Sequence, residues 1–173
     1  MDATHPPRNT GETSTGHAGR VSLRIIVDDL TAAPTRALIA AHLAGMHENS
    51  PPESVHALDF GALAAPGVTV WSAWRDDDLV GIGALAQLDS ELGELTSMRV
   101  DDRFRGTGAG RALLRHIVAQ ARERGIRSLW LETGSEDAFI SARALYASEG
   151  FAPCRPFEGY APDPLSTFMT REL

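Results

Sequence analysis

Residues 100–111 read Val-Asp-Asp-Arg-Phe-Arg-Gly-Thr-Gly-Ala-Gly-Arg, three glycines at alternate positions between two arginines. Gly106, Gly108 and Gly110 leave the backbone bare, so its N–H groups can converge on one concave turn. Where such a turn opens a helix, the helix terminus adds unpaired donors and a partial positive charge, and the expected guest is a phosphate. Arg105 and Arg111 flank the turn and can make forked, charge-assisted contacts to phosphate oxygens. Two other Gly-rich phosphate loops do not fit. A nucleoside-triphosphate loop needs Gly-Lys followed by Ser or Thr, but Gly110 is followed by Arg111 and Ala112. The dinucleotide fingerprint needs Gly-x-Gly-x-x-Gly, which Gly-x-Gly-x-Gly does not match, and a strand meander precedes it rather than the first unit of a doubly wound sheet. An ordinary Gly-rich turn is the plainer alternative.

The elements that must hold this loop follow from periodicity. Residues 21–27 are rich in β-branched types and read as a first strand. Pro34 suits a first helical turn, and Leu38, Ile39, His42, Leu43 and Met46 continue at helical spacing to about Met46. Ser50-Pro51-Pro52-Glu53 has the form of a capping box, which predicts a short second helix from Pro51 to Leu58. His47, Glu48 and Asn49 form a polar link between the two. Residues 68–74, 79–85 and 94–100 read as a three-strand meander with turns at 75–78 and 89–93. Trp71 and Trp74 fit sheet packing. Leu113, Leu114, Ile117, Val118 and Ala121 then make one helical stripe, closed by Gly125. Residues 128–132 form a strand, and Ile140, Arg143, Ala144 and Tyr146 lie on a last helix that ends at Gly150. Apolar segments near Phe151 and Phe168 close the chain. The fold class is α+β, a mixed sheet with one strand-helix-strand crossover in its second half.

Composition sets the outer limits. The chain of 173 residues suits one domain, with 43% hydrophobic and 23% charged residues. Residues 1–20 are nearly devoid of apolar side chains and read as a disordered N-terminal tail, leaving 21–173 as the folded domain. No apolar run approaches the roughly 18 residues of a membrane span, and no secretory signal pattern opens the chain. With a single cysteine, Cys154, this points to the cytoplasm. The net charge of −7 disfavours nucleic acid as a partner and leans toward cationic ones such as amines. No Cys, His and carboxylate spacing suggests a metal, and His42, His56 and His116 read as helix-face residues.

Arg105-x-x-Gly108-x-Gly110, placed after a strand and opening a helix, resembles the acyl-CoA signature of the GNAT family of N-acetyltransferases. Ala142-x-x-Leu145-Tyr146-x-x-x-Gly150-Phe151 resembles that family's second hallmark at the expected distance downstream. The resemblance covers about residues 21–173. It implies a mostly antiparallel central sheet flanked by helices, with an acyl-CoA cleft between two splayed central strands. Backbone groups near Met98 and Val100 would pair with the pantetheine amides, as in strand addition. The pyrophosphate site carries over onto Arg105, Gly106, Thr107, Gly108, Ala109, Gly110 and Arg111. One position departs: many members have Asn seven residues before the tyrosine, where this chain has Phe139.

The implied reaction moves the acetyl group of acetyl-CoA directly to a primary amine of a small molecule or peptide, with no metal, nucleic acid or membrane involved. A homodimer is left open. The amine attacks a thioester only when neutral, so a base must accept its proton. Glu94 matches the base of the family's histone-acetylating branch, with Glu48, Glu132 and His47 as alternatives. Tyr146 matches the family's acid for the departing thiolate; its alternative is core packing. A backbone N–H near Val100 would serve the carbonyl oxygen. His47 and Glu48 are expected to form one wall of the acceptor pocket, or else a plain polar turn. The rival reading is a non-catalytic acyl-CoA-binding sensor, which needs the loop but neither Tyr146 nor Glu94; a longer acyl chain or an oxygen acceptor is a further alternative.

Overall fold

A computed structural model of the chain describes residues 22–49, 58–157 and 159–173. The expected tail at 1–20 and nearly all of the expected helix at 51–58 lie outside them. The elements are β1 (Arg24–Val27), α1 (Ala33–Asn49), α2 (Phe60–Leu63), β2 (Val68–Arg75), β3 (Asp78–Gln87), β4 (Leu92–Val100), α3 (Ala109–Glu123), β5 (Ser128–Gly134), α4 (Ile140–Ser148), β6 (Ala152–Pro153) and β7 (Ser166–Glu172). The seven strands lie in the order β1-β2-β3-β4-β5-β7-β6. Every adjacent pair is antiparallel except β4 with β5, which are joined by the crossover through α3.

Two apolar layers fix the sheet between helices. On one side the predicted stripe of α3, Leu113, Leu114, Ile117, Val118 and Ala121, packs on Trp71, Leu85, Leu95 and Leu129. On the other, Leu38 and Ile39 of α1 pack on Val70, Ile82 and Ala84. Strand β3 feeds both layers: Leu85 faces α3 while Ile82 and Ala84 face α1, as the two-residue period of a strand requires. Its run from Leu79 to Leu85 is buried on both faces.

Two expectations about helices need correction. Helix α1 does not stop at Met46 but runs on through Asn49, so His47 and Glu48 are its last turn rather than a link. Nothing in their types breaks a helix, and the His47 ring joins the turn by donating from Nδ1 to the Leu43 carbonyl at 2.7 Å. The second helix within the described residues is α2, a single turn at Phe60–Leu63. Asp59 caps it, accepting from the Ala62 N–H at 2.9 Å.

The local geometry that shapes the site is a bulge in β4. Ile82 pairs with Arg99 and Ala84 with Thr96, so Gly83 alone opposes both Ser97 and Met98. Ser97 takes a left-handed φ of 52° to accommodate the extra residue. Glycine suits the partner position: a Cβ on Gly83 would lie 2.5 Å from the Met98 sulfur and 2.8 Å from Ile117, so both side chains would have to shift. On the opposite edge of β4, pairing with β5 covers only Leu92, Gly93 and Glu94 and ends at Glu94 with Trp130. Beyond that point the two strands part, which is the expected splay.

Candidate active site

A cleft of about 880 Å³ opens where β4 and β5 separate. The β4 end supplies Met98, Arg99 and Val100; the following loop supplies Arg105, Gly106, Gly108, Ala109, Gly110 and Arg111. Helix α1 contributes His42, Gly45 and Met46 from one side of the sheet, and α4 contributes Ala142, Leu145 and Tyr146 from the other. Of the predicted loop residues only Thr107 is missing from the lining. Its hydroxyl turns inward and donates to the Phe104 carbonyl at 2.7 Å.

The loop has the geometry of an anion cradle. Gly106 and Gly108 sit at φ of 74° and 85°, backbone that residues with a Cβ rarely adopt. Gly108 is the N-cap of α3 and no side chain caps that helix, so the first-turn donors are left to a ligand. Arg105 is exposed and held by Asp102 at 2.7 Å. Arg111 pairs with the buried Glu149 carboxylate, which Arg115 also holds at 2.8 Å. These guanidiniums stand beside the cradle with their charge only partly met. The residues present therefore fit the diphosphate of acetyl-CoA, and the unpaired β4 edge fits its pantetheine arm. Arg105→Ala should weaken acetyl-CoA binding about ten- to a hundredfold, as expected for one lost charge-assisted contact, and Gly108→Val should do at least as much by blocking the approach to the backbone. No protein atom lies within 4 Å of a Cβ at Gly108, so that substitution meets only its own left-handed backbone and whatever fills the cleft. Calorimetric titration of both variants with acetyl-CoA checks this, and parental affinity in either would remove that residue from the cradle.

A second, smaller cavity of about 80 Å³ continues the cleft toward the middle of β4. The two share His42, Met46, Met98, Phe139, Ala142 and Tyr146 as walls. The smaller one adds Glu94, Thr96, Ser97, Glu132, Thr133 and Tyr160. Glu94, in the last β4–β5 pair, and Glu132, two residues past Trp130 on β5, thus line one cavity from neighbouring strands. Burial raises the Glu94 carboxyl, and the hydrogen bond that Tyr160 donates to its Oε1 opposes this. Burial pushes Glu132 up to about 7, with the Glu94 charge among the smaller contributions in the same direction. Tyr146 is buried in α4, edge-on to Phe151, and burial raises its phenol above the usual range with help from the Glu132 charge.

The sequence-predicted residues are only partly brought together. Glu94, Tyr146, Met98, Val100 and the loop share one continuous space. His47 and Glu48 are exposed and line neither cavity; the face of α1 that does is His42, Gly45 and Met46. His42 is the helix-face residue its spacing predicts, but the face it occupies lines the cleft. Burial first and the Arg99 charge second hold its imidazole down to about 4, so it is neutral. Phe139, standing where many relatives have Asn, forms an apolar wall common to both cavities. Tyr160 had no signal at all: it comes from an irregular segment between β6 and β7 and stacks among Phe157 and Phe168.

Residues 35–151 match the acetyltransferase (GNAT) family. The chain belongs to that family. It is 46% identical to the uncharacterised N-acetyltransferase YsnE of Bacillus subtilis over 151 residues, covering 87% of this chain and all of that one. Among solved structures, a Klebsiella pneumoniae protein assigned as an acyl-CoA N-acyltransferase superposes with a TM-score of 0.73 and 31% identity, covering 88% of this chain and 99% of that one. A Bacillus subtilis acetyltransferase in complex with CoA shares the fold at a TM-score of 0.63 and 18% identity, over 88% and 99% of the two chains. The GNAT chain described here is an enzyme, an acetyl-CoA-dependent N-acetyltransferase, and the sensor reading is not favoured. Among its described residues no helix is long and apolar enough to cross a membrane.

Proposed function

We propose that this N-acetyltransferase acts in the cytoplasm on a primary amine of a small molecule or peptide, and that the amine enters the smaller cavity. The observation that carries the reading is the Glu94–Glu132 pair, set at the point where β4 and β5 separate and joined to the large cleft by shared walls. Two half-buried carboxylates attract an ammonium group and, with raised proton affinity, can take its proton near neutral pH. The unpaired β4 edge near Met98 and Val100 offers backbone donors to the thioester carbonyl, and Tyr146 stands on the α4 side for the departing sulfur. Acetyl-CoA supplies the activated acyl group, and transfer is direct, with no acyl group carried on the protein. Cys154, the one thiol, does not line either cavity. A panel of primary amines incubated with acetyl-CoA and followed by free-thiol release tests this. Acceptor-dependent release with several amines is expected; release with alcohols alone would replace the amine by an oxygen acceptor.

A further inference from the structure

The stretch of cleft between the carboxylate pair and the phosphate cradle holds polar atoms that the reading above leaves unused. Arg99 lines the large cleft with its side chain one-quarter exposed. Its Nη2 pairs with the exposed Asp102 at 3.0 Å, yet its Nε is buried with no hydrogen-bond partner among the described residues. Ser97, on the same bulge, lines the smaller cavity, and its Oγ is likewise buried and unpartnered. His42 faces both cavities from α1, near enough to Arg99 to feel its charge, and being neutral it keeps one ring N–H to donate. Buried polar groups in native proteins are almost always paired, so Arg99 Nε and Ser97 Oγ mark donors the fold leaves unmet beside the cavity, and the exposed quarter of the Arg99 side chain is where an acceptor in the cleft would meet this set.

The charge layout says what that acceptor is. Glu94 and Glu132 can only accept hydrogen bonds when ionised; Arg99 can only donate, and Ser97 and neutral His42 have a donor to give. Cationic and anionic ends therefore lie along one strand, five positions apart with one position taken by the bulge, about 13 Å between backbones. The Glu and Arg side chains are long enough to close much of that span once a ligand carboxylate replaces the exposed Asp102 on Arg99, which leaves room for a short zwitterion.

We propose that the acceptor is a small amino acid, its carboxylate held by Arg99 with Ser97 and His42 while its amine faces Glu94 and Glu132. This rests on the amine-acetylation reading and specifies its substrate class. The guanidinium is an anchor that fixes the acceptor's orientation and does not touch the reacting atoms.

The test compares α-amino acids with their own amides, which keep the amine and lose the negative charge. The parent should prefer the acids in kcat/KM by about ten- to a hundredfold, the worth of one charge-assisted pair. Arg99→Gln should collapse that preference to near unity, and Arg99→Lys, which keeps charge but loses the fork, should fall between. Circular dichroism and the thermal unfolding midpoint confirm that each variant is folded. A parent without acid-over-amide preference overturns the anchor, as does Arg99→Gln lowering both members of each pair equally. If plain amines and amides release thiol while amino acids do not, the amine reading survives and the anchor falls. If no amine of any kind releases thiol, both fall together.

Discussion

Glu94→Gln combined with Glu132→Gln is expected to lower kcat/KM for the amine by about two to four orders of magnitude, the usual worth of a positioned base. Both substitutions keep side-chain volume and remove only the ability to take a proton. In the parent, kcat/KM should climb with pH through about 7, because Glu132 must be ionised to act and burial pushes it to that value. In Glu94→Gln the neighbouring negative charge is gone, so the low-pH limb should move to lower pH. In Glu132→Gln the limb near 7 should vanish. Initial rates from pH 5 to 9 separate these cases; limbs that stay put in both single variants would take the base away from this pair.

The same pair makes an independent statement about stability. A buried carboxyl whose folded value lies above its unfolded one binds more protons in the native state between the two, so stability falls as pH rises through that window. For Glu132 the window runs from the usual carboxylate range to about 7. The penalty is absent well below it and complete above it. Glu132→Gln should therefore melt at a higher temperature than the parent at pH 8 and at nearly the same temperature at pH 4, read by thermal unfolding. A variant that loses turnover while gaining stability marks a residue kept for function at a cost to the fold.

Much of this arrangement was legible in the residues, for reasons that differ by element. The α3 stripe was readable because one face of that helix is buried against a sheet while the other is wet, which imprints a clean 3.6-residue period. The meander was readable because its turns are polar and its strands rich in apolar and β-branched types. The turn before α3 was readable because residues with a Cβ rarely adopt the φ of Gly106 and Gly108, so backbone geometry leaves a mark in composition. The end of α1 was not, because His47 and Glu48 are neutral toward helix continuation and the polar run looked like a link. The acceptor side was harder still. His42 occupies a helical stripe whether that stripe meets core or cavity, and periodicity cannot tell the two apart. Tyr160 reaches Glu94 from 66 residues away in sequence, through a segment with no regular pattern. Ser97 and Arg99 acquire their places from the β4 bulge, which only the pairing of Ile82 and Ala84 with their partners reveals.

Tyr146→Phe should lower kcat by roughly two orders of magnitude, the low end of what acid catalysis contributes, while leaving acetyl-CoA affinity within about twofold. The expected size follows from the phenol's surroundings. Burial and the Glu132 charge raise its proton affinity above the ordinary tyrosine range, so the hydroxyl is protonated at every pH where the enzyme works. A free thiol titrates near 8.5, well below this phenol, so full transfer of the Tyr146 proton to the departing sulfur runs uphill. In the proposed role the group donates a hydrogen bond to sulfur as charge builds there, and the thiolate takes its final proton from solvent. Phe keeps the ring that packs edge-on to Phe151 at 5.9 Å, so α4 and the cleft wall should survive intact. Single-turnover measurements separate the acyl-transfer step from product release. They should also show parent and variant falling toward each other as the leaving thiol is made more acidic, because a better leaving group needs less help. A Phe variant with the parental acyl-transfer rate would make Tyr146 a packing residue whose hydroxyl has no part in the reaction.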